Sequence, residues 1–124
     1  MADTKLLGLR TVIYAAPDLQ KTKAWYATVL SIEPYFDQPF YVGFTVGGYE
    51  LGLMPNAEPA QISHNDTLTY WGVEDIETAV THWVDLGATV FTTIQEVGDA
   101  IKTAAVKDPF GNVVGLIENP HFSR

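Results

Sequence analysis

Apolar and polar positions along the chain fall into one pattern that runs twice. Residues 9–16, LRTVIYAA, are β-branched, aromatic and mostly apolar, the composition of a strand. Pro17-Asp18 follows, a turn pair whose aspartate can accept from the free amides of a helix start. The spacing then predicts a helix over 19–30, with Leu19, Trp25, Tyr26, Val29 and Leu30 on its buried side. A short strand is expected over 33–37, broken off by Pro39. Two more are expected over 40–46 and 49–54, joined as a hairpin by Gly47-Gly48. The segment 55–66, PNAEPAQISHND, is polar, holds two prolines and has no periodicity, so it reads as a connection.

The order then starts again. Residues 67–73, TLTYWGV, read as a strand. Asp75 opens a helix that buries Ile76, Ala79, Val80, Trp83 and Leu86, and Gly87 stops it. Strands follow over 88–92, 100–107 and 112–118, the last two separated by the turn Asp108-Pro109-Phe110-Gly111; residues 119–124 read as a tail. Placing Asp18 on Asp75 gives an offset of 75 − 18 = 57, at which Leu19 meets Ile76, Ala16 meets Val73, and Trp25 meets His82, the neighbour of Trp83. Each half is strand, helix, strand, strand, strand. The fold class is therefore α+β: two tandem βαβββ modules, about 8–55 and about 67–119, joined by the linker 56–66 within one domain, 1–124.

Composition narrows the functional classes. With 124 residues, 47% of them hydrophobic, the chain is long enough to bury its own core without staples. It has no cysteine, which excludes disulfides, zinc thiolate sites and thiol catalysis and fits a reducing, cytoplasmic setting. The N-terminal stretch lacks the apolar run of a signal peptide, and no run approaches the ~20 residues of a membrane helix. A net charge of −8 with seven scattered basic residues argues against nucleic acid, whose phosphates need clustered Lys and Arg. The acidity reads first as solubility, and second as attraction for a cationic ligand.

Four short motifs carry a resemblance: V-x-Y-A-A-P-D-L at 12–19 followed by W-Y at 25–26, Y-E-L at 49–51, V-E-D-I at 73–76, and D-P-F-G-N at 108–112. In this order and spacing the chain resembles the glyoxalase, bleomycin-resistance and extradiol-dioxygenase (vicinal oxygen chelate) superfamily, from about Gly8 to Glu118. The resemblance implies curved four-stranded sheets around a cleft, with helices on the outer side. It also implies homodimers, which are common in the family.

Metal-dependent members of that superfamily carry His, Glu or Gln at four strand positions facing the cleft. By the resemblance these are Thr11 (18 − 7), Glu50, Leu68 (75 − 7) and Gly115 (108 + 7). Leu and Gly bring no donor, and one carboxylate with one hydroxyl does not hold a first-row metal. Glu118 lies three residues past Gly115, an odd shift that turns it to the other face of its strand. His64, His82 and His121 fall in the linker, a helix and the tail, and are read as surface or partly packed side chains. No metal and no cofactor is expected.

Strand alternation extends the expected cleft from those four positions to Ile13, Ala15, Gly52, Met54, Tyr70, Gly72 and Ile117, with Val12 and Tyr14 turned toward the helices. Phe36, Phe40, Tyr41 and Phe44 are candidates for aromatic walls. Small residues at Ala15, Gly52, Gly72 and Gly115 are expected to leave space, giving an apolar cavity with Thr11, Glu50 and Tyr70 as its polar points. The function expected is metal-independent binding of a small apolar, aromatic or cationic compound, by a homodimer. The alternative is a glyoxalase-like lyase or isomerase, or a dioxygenase-type enzyme, using Glu50 as base or metal ligand; burial among aromatics would raise the Glu50 pKa and favour the base. A third reading is a partner module with no ligand.

Overall fold

The computed structural model of the chain describes residues 4–59 and 67–122. Its elements run β1 (Thr11–Ala15), α1 (Leu19–Leu30), β2 (Phe36–Gln38), β3 (Tyr41–Val46), β4 (Tyr49–Met54), β5 (Tyr70–Gly72), α2 (Ile76–Asp85), β6 (Thr89–Gly98), β7 (Ile101–Lys107) and β8 (Val113–Glu118). They form two four-stranded sheets with the same internal order, β1-β4-β3-β2 and β5-β8-β7-β6. In each sheet the first strand pairs parallel to the last and the others pair antiparallel. The two βαβββ modules of the α+β reading are therefore present, as two separate mixed sheets.

Local chemistry explains the repeat. Asp18 and Asp75 both stand in extended backbone before their helices, and each side chain accepts from the amide three residues on, at Lys21 and Thr78. α1 ends at Ser31 in the left-handed region, and Gly87 (φ +119) ends the turn after α2. Gly47 and Gly48 both have positive φ, which a two-residue hairpin between β3 and β4 requires.

Three strands depart from the sequence expectation by three residues or more at one end. β5 covers Tyr70–Gly72 rather than 67–73, so Leu68 precedes it. β6 runs to Gly98 rather than to 92, because register shifts between Val90 and Thr92, between Thr92 and Gln95, and between Glu96 and Gly98 erase the alternation that marks a strand. β2 starts at Phe36 rather than 33. Of the linker, residues 55–59 contain no helix or strand, and 60–66, with His64, lie outside the described residues.

Each sheet turns one face to the helices. From the first come Tyr14, Val42, Phe44, Leu51 and Leu53; from the second, Ala104, Val106, Val114 and Leu116. These join Leu19, Tyr26 and Val29 of α1 and Ile76 and Trp83 of α2 in one apolar cluster. Phe44 is fully buried here, so it is core and not a cleft wall. Trp25 and Tyr26 both meet the Trp83 ring edge-on, at 5.7 and 6.1 Å between centroids. The Trp25 indole donates to the Leu86 carbonyl at 2.6 Å.

A polar staple locks the modules together, and it accounts for the D-P-F-G-N motif. The Asn112 side chain accepts from the Ala15 amide at 2.9 Å and donates to the Ala15 carbonyl at 2.8 Å, so it grips β1 as a neighbouring strand would. It also donates to Asp108, whose carboxylate accepts from the Tyr26 hydroxyl at 2.6 Å and from the amides of Phe110 and Asn112. Both residues are buried, and every polar atom of the group is partnered. Beside it, Tyr14 accepts from the Trp71 indole at 2.9 Å. Burial pushes the Tyr14 phenol up to about 12, the Trp71 hydrogen bond lowers it and the Asp108 charge raises it, so it stays protonated. Among the described residues, no helix is long and apolar enough to cross a membrane.

Candidate functional site

The face of the first sheet turned away from the helices gathers the polar candidates. Register sets the rows: Thr11 lies beside Glu50 and Glu50 beside Thr45; Ile13 lies beside Gly52 and Gly52 beside Gly43; Ala15 lies beside Met54. Thr11, Ile13, Glu50, Gly52 and Met54 therefore share this face by strand parity. Thr11 and Ile13 are exposed on it, whereas Tyr14 and Val12 pack toward the core.

Glu50 is the centre of a closed hydrogen-bond cluster. Its Oε1 accepts from the Thr11 hydroxyl at 2.5 Å and from the Tyr41 hydroxyl at 2.7 Å, and its Oε2 accepts from the Tyr35 hydroxyl. Glycines make this arrangement possible. A β-carbon on Gly52 would overlap the Tyr41 phenol oxygen, so that phenol lies directly over Gly52. A β-carbon on Gly43 would come within 2.7 Å of Glu50 Oε2 and 3.0 Å of the Tyr35 ring. Desolvation is the largest single influence on the Glu50 carboxyl and raises it. The hydrogen bonds from Thr11, Tyr35 and Tyr41 together outweigh that and hold it below its ordinary value of 4.5. The expected upward shift of Glu50 is thus reversed, and with it the argument for a general base. Tyr35 is raised mainly by its hydrogen bond to Glu50 and Tyr41 mainly by desolvation, so both phenols remain donors.

Tyr41, Phe36 and Phe40 are aromatic candidates that the structure places together. Phe36 meets Phe40 at 5.9 Å and Tyr41 at 6.2 Å between ring centroids. Tyr35 completes the group, 6.5 Å from Phe36, and was not among the sequence candidates. It lies ahead of β2, outside any strand, although the sequence expectation placed it within one over 33–37. Its one signal is Gly43, a residue without a side chain diagonal to Glu50.

The remaining candidates belong to the second sheet or its margin. Tyr70 lies beside Gly115 and Gly72 beside Ile117, on the face opposite Trp71 and Leu116. Leu68 instead lines a cavity of about 190 Å3 at the module boundary, with Val12 to Ala15, Thr69, Asn112 and Val113. That volume is below the ~300 Å3 of small drug-sized sites. The space expected above the glycines is only partly open: Tyr41 occupies that over Gly52 and Tyr70 that over Gly115, while Gly72 has nothing within 4 Å.

A metal at the four inferred positions does not fit these residues. Thr11 spends its hydroxyl on Glu50, Leu68 brings no donor, and Gly115 could not gain one without rearrangement. A β-carbon there would stand 2.5 Å from the Thr69 carbonyl oxygen and 2.8 Å from the Tyr70 ring. Glu118 faces α2, where it accepts from the Ile76 amide at 2.9 Å. His82 Nε2 donates to the Val29 carbonyl and His121 Nε2 to the Asp99 carbonyl, both at 2.8 Å. Asp75, Glu77 and Glu118 form a separate acidic group, but one caps α2, one pairs with Lys102 and one takes the Ile76 amide.

Comparison with known proteins agrees with this architecture. The family model for the Glyoxalase/Bleomycin resistance protein/Dioxygenase superfamily matches residues 8–116. Among solved structures, a lactoylglutathione lyase from Agrobacterium tumefaciens is similar over 94% of this chain and 98% of its own, with 20% identity and a TM-score of 0.71. A glyoxalase/bleomycin resistance protein/dioxygenase family enzyme from Burkholderia phytofirmans PsJN gives 87% and 95% coverage, 18% identity and 0.70. TioX from Micromonospora sp. ML1 gives 90% and 98%, 18% and 0.68. At this identity such likenesses establish the fold, and no curated protein matches. With two βαβββ sheets in place and a family model spanning most of its length, the chain belongs to the glyoxalase/bleomycin-resistance/dioxygenase superfamily.

Proposed function

We propose that this chain is a metal-independent binding protein of its superfamily, taking a small compound against the open face of the first sheet. The observation that carries the reading is the state of Glu50. The carboxylate that could serve a metal is instead engaged by three hydroxyls, and a second inferred ligand position, Gly115, is closed by Thr69 and Tyr70. Exposed aromatic and aliphatic side chains next to Glu50, among them Tyr35, Phe40 and Ile13, supply apolar surface for a ligand. Exposed Tyr70, Val90 and Phe91 on the second sheet support association with a second copy that would cover them.

The reading is tested on protein purified without chelators. Elemental analysis is expected to find far less than one equivalent of nickel, zinc or iron. Calorimetry against a panel of small aromatic and apolar compounds is expected to find binders, and Ile13→Trp, which fills the open face, should abolish their binding. Light scattering should give twice the chain mass. Stoichiometric metal that is lost in Glu50→Gln, or a panel with no binder, refutes the proposal.

A further inference from the structure

The Glu50 cluster presents acceptors and no donors. Thr11, Tyr35 and Tyr41 each own one hydroxyl proton, and all three point at the carboxylate. Oε1 takes two of them and Oε2 one, which leaves one lone-pair site on Oε2, the free lone pairs of the three hydroxyl oxygens, and a full negative charge. Among the described residues, the influences that set the state of this carboxylate are desolvation and the three hydroxyls, with no cation among them; Lys23 pairs with Asp37, Lys102 with Glu77, and the Arg10 guanidinium donates to the Leu7 and Leu9 carbonyls. A ligand that brings an anion or a bare carbonyl meets only repulsion here, whereas one that brings N–H donors and positive charge completes the site.

The flanking rings point the same way. Tyr35, Phe36, Phe40 and Tyr41 form a contiguous aromatic group beside the carboxylate, and Tyr35 and Phe40 are each more than 60% exposed. Ring faces attract cations, and most strongly where a carboxylate is adjacent and water is partly excluded. The net charge of −8 adds a long-range attraction of the same sign.

We infer that the Glu50 cluster recognises an organic cation: a protonated amine carried on an aromatic or apolar body. The ammonium sits against Glu50 Oε2 and the hydroxyl oxygens, and the body lies on the rings of Tyr35, Phe36 and Phe40. This rests on the ligand-binding reading above and narrows it to one chemical class.

Three isosteric probes separate the alternatives by calorimetry: 2-phenylethylammonium, 2-phenylethanol and phenylacetate. The expected order is ammonium, then alcohol, then carboxylate, with the ammonium favoured over the alcohol by about tenfold or more. In Glu50→Gln that preference should shrink to within about threefold, chiefly through weaker ammonium binding. Phe40→Leu, a change at an exposed residue that leaves the fold intact, should weaken the ammonium by about 2- to 30-fold by removing one ring face. Circular dichroism melts confirm that both variants fold. An alcohol that binds as tightly as the ammonium, a tighter phenylacetate, or a preference that survives in Glu50→Gln overturns the cation assignment and leaves the binding reading standing. If none of the three probes and no compound of the wider panel binds, both are overturned.

Discussion

Asn112→Ala is expected to lower the unfolding free energy by about 3–5 kcal/mol. The replacement removes three hydrogen bonds at a site only 3% exposed. It leaves the Ala15 amide and carbonyl without their side-chain partner at the boundary between the modules, and takes one donor from a buried carboxylate. Each buried polar group left unpaired costs about 1–3 kcal/mol, and water reaches this point poorly. Because domains of this size are stable by only about 5–15 kcal/mol, the variant should unfold at much lower urea. Loss of the staple should also loosen one module against the other, so a reduced m-value is expected with the reduced midpoint. A change within about 0.5 kcal/mol would mean that the Asn112 grip on β1 is incidental.

Gly115→Glu, which puts a carboxylate where metal-dependent relatives are inferred to have one, is expected to destabilise the chain by about 2–3 kcal/mol and to recruit no ion. The reason is steric and lies in backbone. The nearest obstacle to a side chain at 115 is the Thr69 carbonyl oxygen at 2.5 Å, and the Gly115 amide donates to that same oxygen at 3.1 Å. A flexible side chain could swing aside, but here β5 would have to move away from β8. Thermal melts should show a fall in Tm that added nickel or zinc does not reverse. A variant as stable as the parent, or one whose Tm rises with metal, would show that the position is open after all.

How much of this was written in the sequence depends on how local the signal is. α1 matches the expected 19–30 because Asp18, the apolar spacing and Ser31 all act within one helix. β4 and the Gly47-Gly48 hairpin are equally local. β5 was overestimated because residues 67–69 have strand chemistry, yet β5 and β8 part below Thr69, where Leu68 and Val113 line the boundary cavity. β6 was underestimated because its bulges break the period of two on which strand recognition rests.

The site was legible in part for the same reason. Thr11 and Glu50 were reached through the resemblance, and the β1–β4 ladder sets them side by side. The fate of the Glu50 charge was not legible, because it depends on three hydroxyls converging from β1, β3 and the approach to β2. Burial among aromatics suggested a raised pKa, but the phenols donate protons, and donation outweighs desolvation. Likewise, a glycine in a strand reads as empty space until the residue leaning over it is known: Tyr41 over Gly52, Tyr70 over Gly115.

The central claim is that Glu50 is a hydroxyl-bound anion, neither a base poised near neutrality nor a metal ligand. Its linkage sign follows from the depressed pKa. The cluster contributes stability that is fully present above the unfolded value and lost as pH falls through the lower folded value, and Glu50→Gln should lack that component. The most direct test is a carbon-13 carboxyl titration of the folded protein, assigned by comparison with Glu50→Gln. A Glu50 midpoint below 4.5 is the predicted result. A midpoint above that value would show that the three hydroxyls do not hold the charge.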